Sequence, residues 1–201
     1  REKHYCQTKI TTQCMEMATM KSNHLYKVFK SKNGVDVILR TVKWEDIDGL
    51  AEFANSLIEE GAEITLDKKQ TRETEADYLS QSLTALEKNE MISVVAEADG
   101  KIVGNSGVTR YSRISQSHVG MLGISVKAGY REIGLGTEMM TILIEESRKI
   151  GLKLLILDVF GTNDRARHVY EKAGFKEVGR IPGGLFRNGK YIDDVRMALQ
   201  L

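Results

Sequence analysis

The chain has 201 residues, 41% of them hydrophobic and 28% charged, which is the balance of a globular domain large enough to bury a core without disulfide staples. A net charge of +1 lacks the basic excess of a dedicated nucleic-acid binder. No apolar run approaches the roughly 20 residues that cross a bilayer, and one proline rules out Pro-rich recognition segments.

Residues 1–32 carry seven Lys or Arg against two acids, a local charge of +5 that leaves −4 for residues 33–201. They show no clean periodicity and are expected to form a loosely packed extension or basic arm, with the folded domain over 33–201. The chain opens on Arg1 rather than Met, so its natural start is expected to lie upstream. Cys6 and Cys14 have neither Cys-x-x-Cys nor zinc-ligand spacing and read as reduced thiols, which suits a cytoplasmic protein. The N-terminus lacks the apolar core of a signal peptide.

From residue 35 the pattern sharpens. Val35, Val37 and Leu39 alternate with polar or outward positions and predict a strand. Ile47, Leu50, Ala54 and Leu57 share one face of a helix over 44–60, which Gly61 stops. Ala76, Leu79, Leu83 and Leu86 place a second helix over 72–88, and a loop is expected between them. Ile92, Val94, Ala96 and Ala98 alternate up to Asp99-Gly100, a strong hairpin signal. The partner strand over 101–110 carries Gly104 and Gly107, which allow close backbone approach. A strand over 118–126 runs into a glycine-rich loop, and a helix follows to about 150 with Met139, Leu143 and Ile150 on one face. A buried strand over 153–160, a short helix over 163–173 and two closing strands over 175–180 and 190–199 complete the chain. Pro182-Gly183-Gly184 and Asn188-Gly189 are expected in the loop joining the last two. Helical connections imply parallel pairs and hairpins antiparallel ones, so the expected fold is α/β: a mixed, mostly antiparallel sheet of about seven strands flanked by about four helices.

The chemically informative stretch is Gly123-Ile-Ser-Val-Lys-Ala-Gly-Tyr-Arg-Glu-Ile-Gly-Leu-Gly-Thr137. A helix N-terminus presents unpaired N–H groups and partial positive charge, and glycines let an anion come close, so the loop suits phosphate. Gly129 and Gly134 have Walker A spacing, but Leu135 stands where that motif needs Lys. Gly134-x-Gly136 is followed by Met139 where a dinucleotide fingerprint needs a third glycine. A glycine turn without a ligand stays open on this stretch alone.

Arg131-x-x-Gly134-x-Gly136 is followed 27 residues later by Asn163-Asp-Arg-Ala-Arg-His-Val-Tyr-Glu-Lys-Ala-Gly-Phe175. Together the two segments resemble the GNAT superfamily of acetyl-CoA-dependent N-acetyltransferases, over about residues 35–200. The resemblance implies a pyrophosphate loop made of Arg131, Glu132, Ile133, Gly134, Leu135, Gly136 and Thr137. It implies that Ile124, Ser125 and Val126 hold the pantetheine arm with unpaired backbone groups, and that Asn163 hydrogen-bonds that arm. It also implies that Tyr170 lies near the thioester sulfur, where a phenol can assist the leaving thiolate; a core aromatic is the alternative. His168 is expected to be exposed.

The family's strand Glu or His falls on Gly120 or Leu122 here. His118 is the nearest candidate base, with Glu59, Glu60 and Glu63 or water as rivals. The implied activity is direct attack of a primary amine on acetyl-CoA, without metal. The amine would be a small molecule or amino acid, or a protein N-terminus or lysine. A non-catalytic acetyl-CoA sensor is the alternative. No nucleic-acid or membrane partner is expected. A homodimer is compatible with the family, in which dimers are common.

Overall fold

The computed structural model describes residues 22–201; Cys6, Cys14 and most of the expected basic extension lie outside them. Eight strands form one sheet in the order β1-β2-β3-β4-β5-β6-β8-β7. They are β1 (Leu25–Lys30), β2 (Asp36–Arg40), β3 (Met91–Ala98), β4 (Lys101–Arg110), β5 (Val119–Val126), β6 (Leu154–Phe160), β7 (Lys176–Arg187) and β8 (Lys190–Gln200). Every neighbouring pair is antiparallel except β5 and β6. The helices are α1 (Ile47–Glu59), α2 (Arg72–Glu87), α3 (Leu135–Lys149) and α4 (Asp164–Lys172). No helix among the described residues is long and apolar enough to cross a membrane.

The apolar faces read from the sequence are the ones that pack. Ile47, Leu50, Ala54 and Leu57 of α1, Leu79 and Leu86 of α2, and Met139 and Leu143 of α3 are buried with the inner positions of β3 to β6. Burying side chains of this size is worth about 1.5–3 kcal/mol each against leaving them in water. Gly104 shows why a strand here needs glycine. A Cβ there would lie 3.1 Å from both the Ala96 Cβ and the Met139 sulfur, so the missing side chain lets α3 settle onto β4.

Three expectations change. The helix over 44–60 begins as a 3-10 turn, Trp44–Asp46, before α1 proper. Residues 25–30, read as part of an extension, form strand β1 on the edge of the sheet and pair with β2. The segment around Pro182-Gly183-Gly184 is not a loop: β7 runs through it to Arg187 and turns only at Asn188-Gly189. The strand tolerates a proline because it is the other edge of the sheet. The three residues are accommodated where the register with β8 shifts between Ile181 and Leu185. There the Gly183 N–H donates to the Asp193 side-chain carboxylate at 3.1 Å instead of to a backbone carbonyl of β8.

Candidate active site

Strand β5 divides at Leu122. Val119, Gly120 and Met121 pair in parallel with Leu154, Leu155 and Ile156 of β6, while pairing with β4 continues along the whole of β5 to Val126. β6 in turn stays paired with β8 through Phe160. Beyond Met121 the two central strands therefore diverge, and the facing edge of each carries N–H and C=O groups with no strand beside them. Buried backbone polar groups need partners, so this split is a place for a ligand to complete. A cavity of about 570 Å³ fills it, bounded by Leu122, Ile124 and Val126 on one side and Val159 and Phe160 on the other.

The glycine loop closes one end of the cavity. Gly134 sits at the N-cap of α3 with φ +93°, and Gly129 and Glu132 also take positive φ, +85° and +65°. Only glycine adopts that region without strain, so Gly134 is required by the turn itself. Gly136 serves a different purpose: a Cβ there would meet nothing within 4 Å, so its absence leaves open space at the helix N-terminus. Arg131 holds the loop in place. Its Nε donates to the Val126 carbonyl at 2.7 Å, and its guanidinium pairs with Glu60, which also accepts from the Ala128 N–H at 3.1 Å. Partial burial and the nearby Arg165 guanidinium hold the Arg131 pKa below its usual value.

Tyr170, on the last full turn of α4, is 7% exposed, and its ring lies 6.1 Å from that of Phe175. Burial pushes the phenol up to about 12, so at neutral pH it is a hydrogen-bond donor. Asn163 caps α4 by accepting from the Ala166 N–H at 3.1 Å. The far wall of the cavity is made by the segment after α1. Glu63 accepts from the Thr162 hydroxyl, and the Ile64 carbonyl accepts from Arg187 at 2.7 Å. The Arg187 guanidinium lies 5.8 Å from the centre of the Phe160 ring.

Of the residues singled out in the sequence, the structure brings Ile124, Ser125, Val126, Arg131, Glu132, Gly134, Gly136, Thr137, Asn163 and Tyr170 onto this one cavity. Ile133 and Leu135 are turned towards the core instead. His118 is not among the lining residues. It is exposed, immediately before β5, and four residues at about 3.3 Å each put it roughly 13 Å from Leu122. Gly120 cannot host a base in its place, because a Cβ there would lie 2.5 Å from Val108 and 2.8 Å from Leu152. Among the rival carboxylates, Glu59 pairs with Lys69 at 2.9 Å, which lowers its pKa, and Glu60 is taken by Arg131. Glu63 alone of the three lines the cavity. Asp158 also lines it, but both of its oxygens accept from Arg196, at 2.7 and 2.8 Å.

Four basic cavity residues escaped the sequence reading as site residues: Lys32, Arg165, His168 and Lys172. His168 was expected to be exposed and is, yet it stands on the rim. Lys32 was hidden among the scattered cations of the first 32 residues, where nothing in the pattern separates it from its neighbours. No group of His, Cys, Asp and Glu side chains among the described residues is placed to hold a metal ion.

Comparison with known proteins agrees with this geometry. The model of the Acetyltransferase (GNAT) family matches residues 55–175. The L-amino acid N-acetyltransferase AaaT of Escherichia coli is 33% identical over 106 residues, which are 52% of this chain and 65% of that protein. The Probable N-acetyltransferase camello of Xenopus tropicalis is 30% identical over 105 residues, 50% of this chain and 48% of its own length. The chain thus spans from about half to just under two thirds of these curated relatives. Among solved structures, yncA of Salmonella typhimurium, determined with its cofactor acetyl-CoA, superposes with a TM-score of 0.73 at 18% identity, covering 82% of this chain and 93% of that one.

Proposed function

Because the chain belongs to the GNAT acetyltransferase family, we propose that it moves an acetyl group from acetyl-CoA to a primary amine, with both reactants held together on the enzyme. The observation that carries this reading is the half-paired strand β5, whose free edge opens into a cavity ending at the N-terminus of α3. The free backbone of residues 124–126 suits the amide-bearing pantetheine arm, which would join the sheet edge as an extra strand. The first-turn N–H groups of α3 and the space beside Gly136 suit the diphosphate. Acetyl-CoA supplies an acyl group already activated as a thioester.

The chain's own residues then have three tasks. The cavity walls hold amine and thioester in contact, which removes much of the entropic cost of bringing them together. Glu63 takes the ammonium proton, directly or through water, so that the nitrogen lone pair is free to form the new C–N bond. As the C–S bond breaks, the Tyr170 phenol donates to the departing sulfur, and its low-dielectric setting makes that hydrogen bond worth more than in water. Among the described residues no cysteine lines the cavity, and direct attack needs no acyl-enzyme.

The acceptor class favoured by the AaaT relative is a free L-amino acid. The test is a thermal shift with acetyl-CoA followed by release of free thiol across a panel of amino acids, small amines and peptides with free N-termini. Ligand bound to the native state alone raises the melting temperature by mass action, and thiol release with one class of amine identifies the acceptor. Stabilisation without thiol release across the panel would leave a binding module only. No stabilisation at all would remove the acetyl-CoA reading.

A further inference from the structure

The cation that the sequence motif offers to the diphosphate is already committed. The Arg131 guanidinium pairs with Glu60 and its Nε is tied to the Val126 carbonyl. A diphosphate arriving at the loop therefore meets backbone dipoles and an arginine whose charge is largely offset by a carboxylate. Compensation must come from elsewhere on the cavity wall.

The turn between β1 and β2 provides it. The Lys32 N–H donates to the Ile133 carbonyl of the glycine loop at 3.2 Å. The Lys32 side chain runs over the mouth of the cradle, with its Cε 3.9 Å from where a Cβ of Gly134 would be, and it lines the same cavity. Among the described residues no acidic side chain forms an ion pair with it. The turn that carries it is rigid. Buried Ser31 bonds to Val35 through its N–H at 2.8 Å and accepts the Val35 N–H on its hydroxyl at 3.0 Å, and the Gly34 N–H closes the turn on the Ser31 carbonyl at 2.9 Å. A second tie, Lys27 to Glu138 at 2.6 Å, fixes β1 to the first turn of α3.

We propose that Lys32 is a binding residue for the diphosphate of coenzyme A, presented by the edge hairpin across the N-terminus of α3. This rests on acetyl-CoA being the acyl donor. A lysine ammonium is a compact point charge with three donors, suited to two phosphate oxygens at once. Its flexible stem lets it follow the ligand while the turn fixes its root. The β1–β2 edge of the sheet thereby becomes part of the cofactor site.

The experiment compares Lys32→Ala with wild type on two acyl donors: acetyl-CoA, and acetyl-pantetheine, which has the same thioester arm and no phosphates. Loss of one charge-assisted contact should weaken acetyl-CoA binding and raise its KM about tenfold, with kcat and all constants for acetyl-pantetheine unchanged. Lys30→Ala is the control, since Lys30, at the end of β1, faces Asp36 of β2 at 3.7 Å and does not line the cavity; it should change neither. Equal losses on both donors would make Lys32 a structural residue of the hairpin, and unchanged acetyl-CoA affinity would remove it from the site; either overturns the inference. Wild-type protein that binds no acetyl-CoA would instead overturn the functional reading on which it stands.

Discussion

Two polar clefts among the described residues are finished differently. In the smaller, of about 280 Å³, Arg40 is 6% exposed and Asp46 5%. Arg40 Nη1 and Nη2 each reach Asp46 at 2.8 Å, Nη2 also reaches Glu97 at 2.8 Å, and Nε reaches Glu97 at 3.1 Å. Asp46 accepts the Lys43 N–H as well, at 2.9 Å. Arg40, Asp46 and Glu97 satisfy one another within the fold, and the cluster pins β2 to the start of α1 and to β3. In the larger cleft the facing backbone edges of β5 and β6 are left over, and Lys32, which lines it, has no ion-pair partner among the described residues. Matched polar groups are architecture. Unmatched ones lining a cavity are an invitation to a ligand.

That contrast can be broken first at the buried cluster. Arg40→Met should cost about 3–5 kcal/mol, because it leaves the Asp46 carboxylate buried and uncompensated; urea unfolding measures it. The folded protein should keep its acetyl-CoA affinity, and a parallel loss of affinity would show that the two clefts are not independent. In the larger cleft Tyr170→Phe should lower kcat on the order of 10²-fold and leave acetyl-CoA binding nearly intact, since its hydrogen bond strengthens only as charge grows on sulfur. Wild-type turnover, or loss of both affinity and stability, would return Tyr170 to the core. Glu63→Gln should also reduce kcat, because the amide cannot accept the ammonium proton; wild-type turnover would point to water or another base.

A smaller effect should separate the two glycines of the loop. Gly136→Val should weaken acetyl-CoA about tenfold with little loss of stability, as its side chain would enter open space where the diphosphate is proposed to lie. Gly134→Val should destabilise the free protein too, because φ +93° strains any β-branched residue. Equal behaviour of the two would mean that space, not backbone geometry, governs both. The least change is expected from alkaline pH. With the Tyr170 phenol pushed up to about 12, its donor form persists, and turnover should show no phenol-dependent decline below about pH 11. Stability behaves otherwise. The folded pKa lies above the unfolded one, so the contribution of the protonated phenol is complete below about pH 10 and fades as pH rises from there towards 12. Melting temperatures at pH 8 and pH 11 should differ less in Tyr170→Phe than in wild type.

How much of this was legible depended on where each residue's partner lies. Strands such as Met91–Ala98, and the short helix with Asn163 as its cap, announce themselves because alternation, capping and glycine stops are local. β1 did not, because Leu25 and Val28 face water and only Tyr26 and Phe29, three apart rather than two, pack against the core, so no clean alternation marks the strand. β7 was cut short at Pro182 by a rule that holds inside sheets and relaxes at their edges. The glycine loop and Tyr170 were legible through the paired motifs. The divergence of β5 from β6 was not derivable from spacing, since it depends on which strands happen to stay paired. Lys32 lies about a hundred residues from the loop it crosses, and no local signal could join them. The base position on β5 was misleading for a physical reason: Val108, Leu152 and Leu155 already fill the space that a side chain at Gly120 would need.

The irregularity of β7 has a bearing on how this protein behaves in a crowded solution. A sheet that is not closed has two open edges, and an open edge is a template on which another chain can add a strand and begin to aggregate. Here both edges are spoiled. Along β7, Pro182 has no N–H to offer, the register shift from Ile181 to Leu185 breaks the ladder, and Lys176, Glu177 and Arg180 put charge beside it. Along β1 the ladder slips between Leu25 and Lys27, and Lys27 at the break and Lys30 at the strand's end add charge. Straightening β7 by deleting residues 182–183 would lengthen its clean edge, and the deletion should be visible as concentration-dependent turbidity in protein that is still folded.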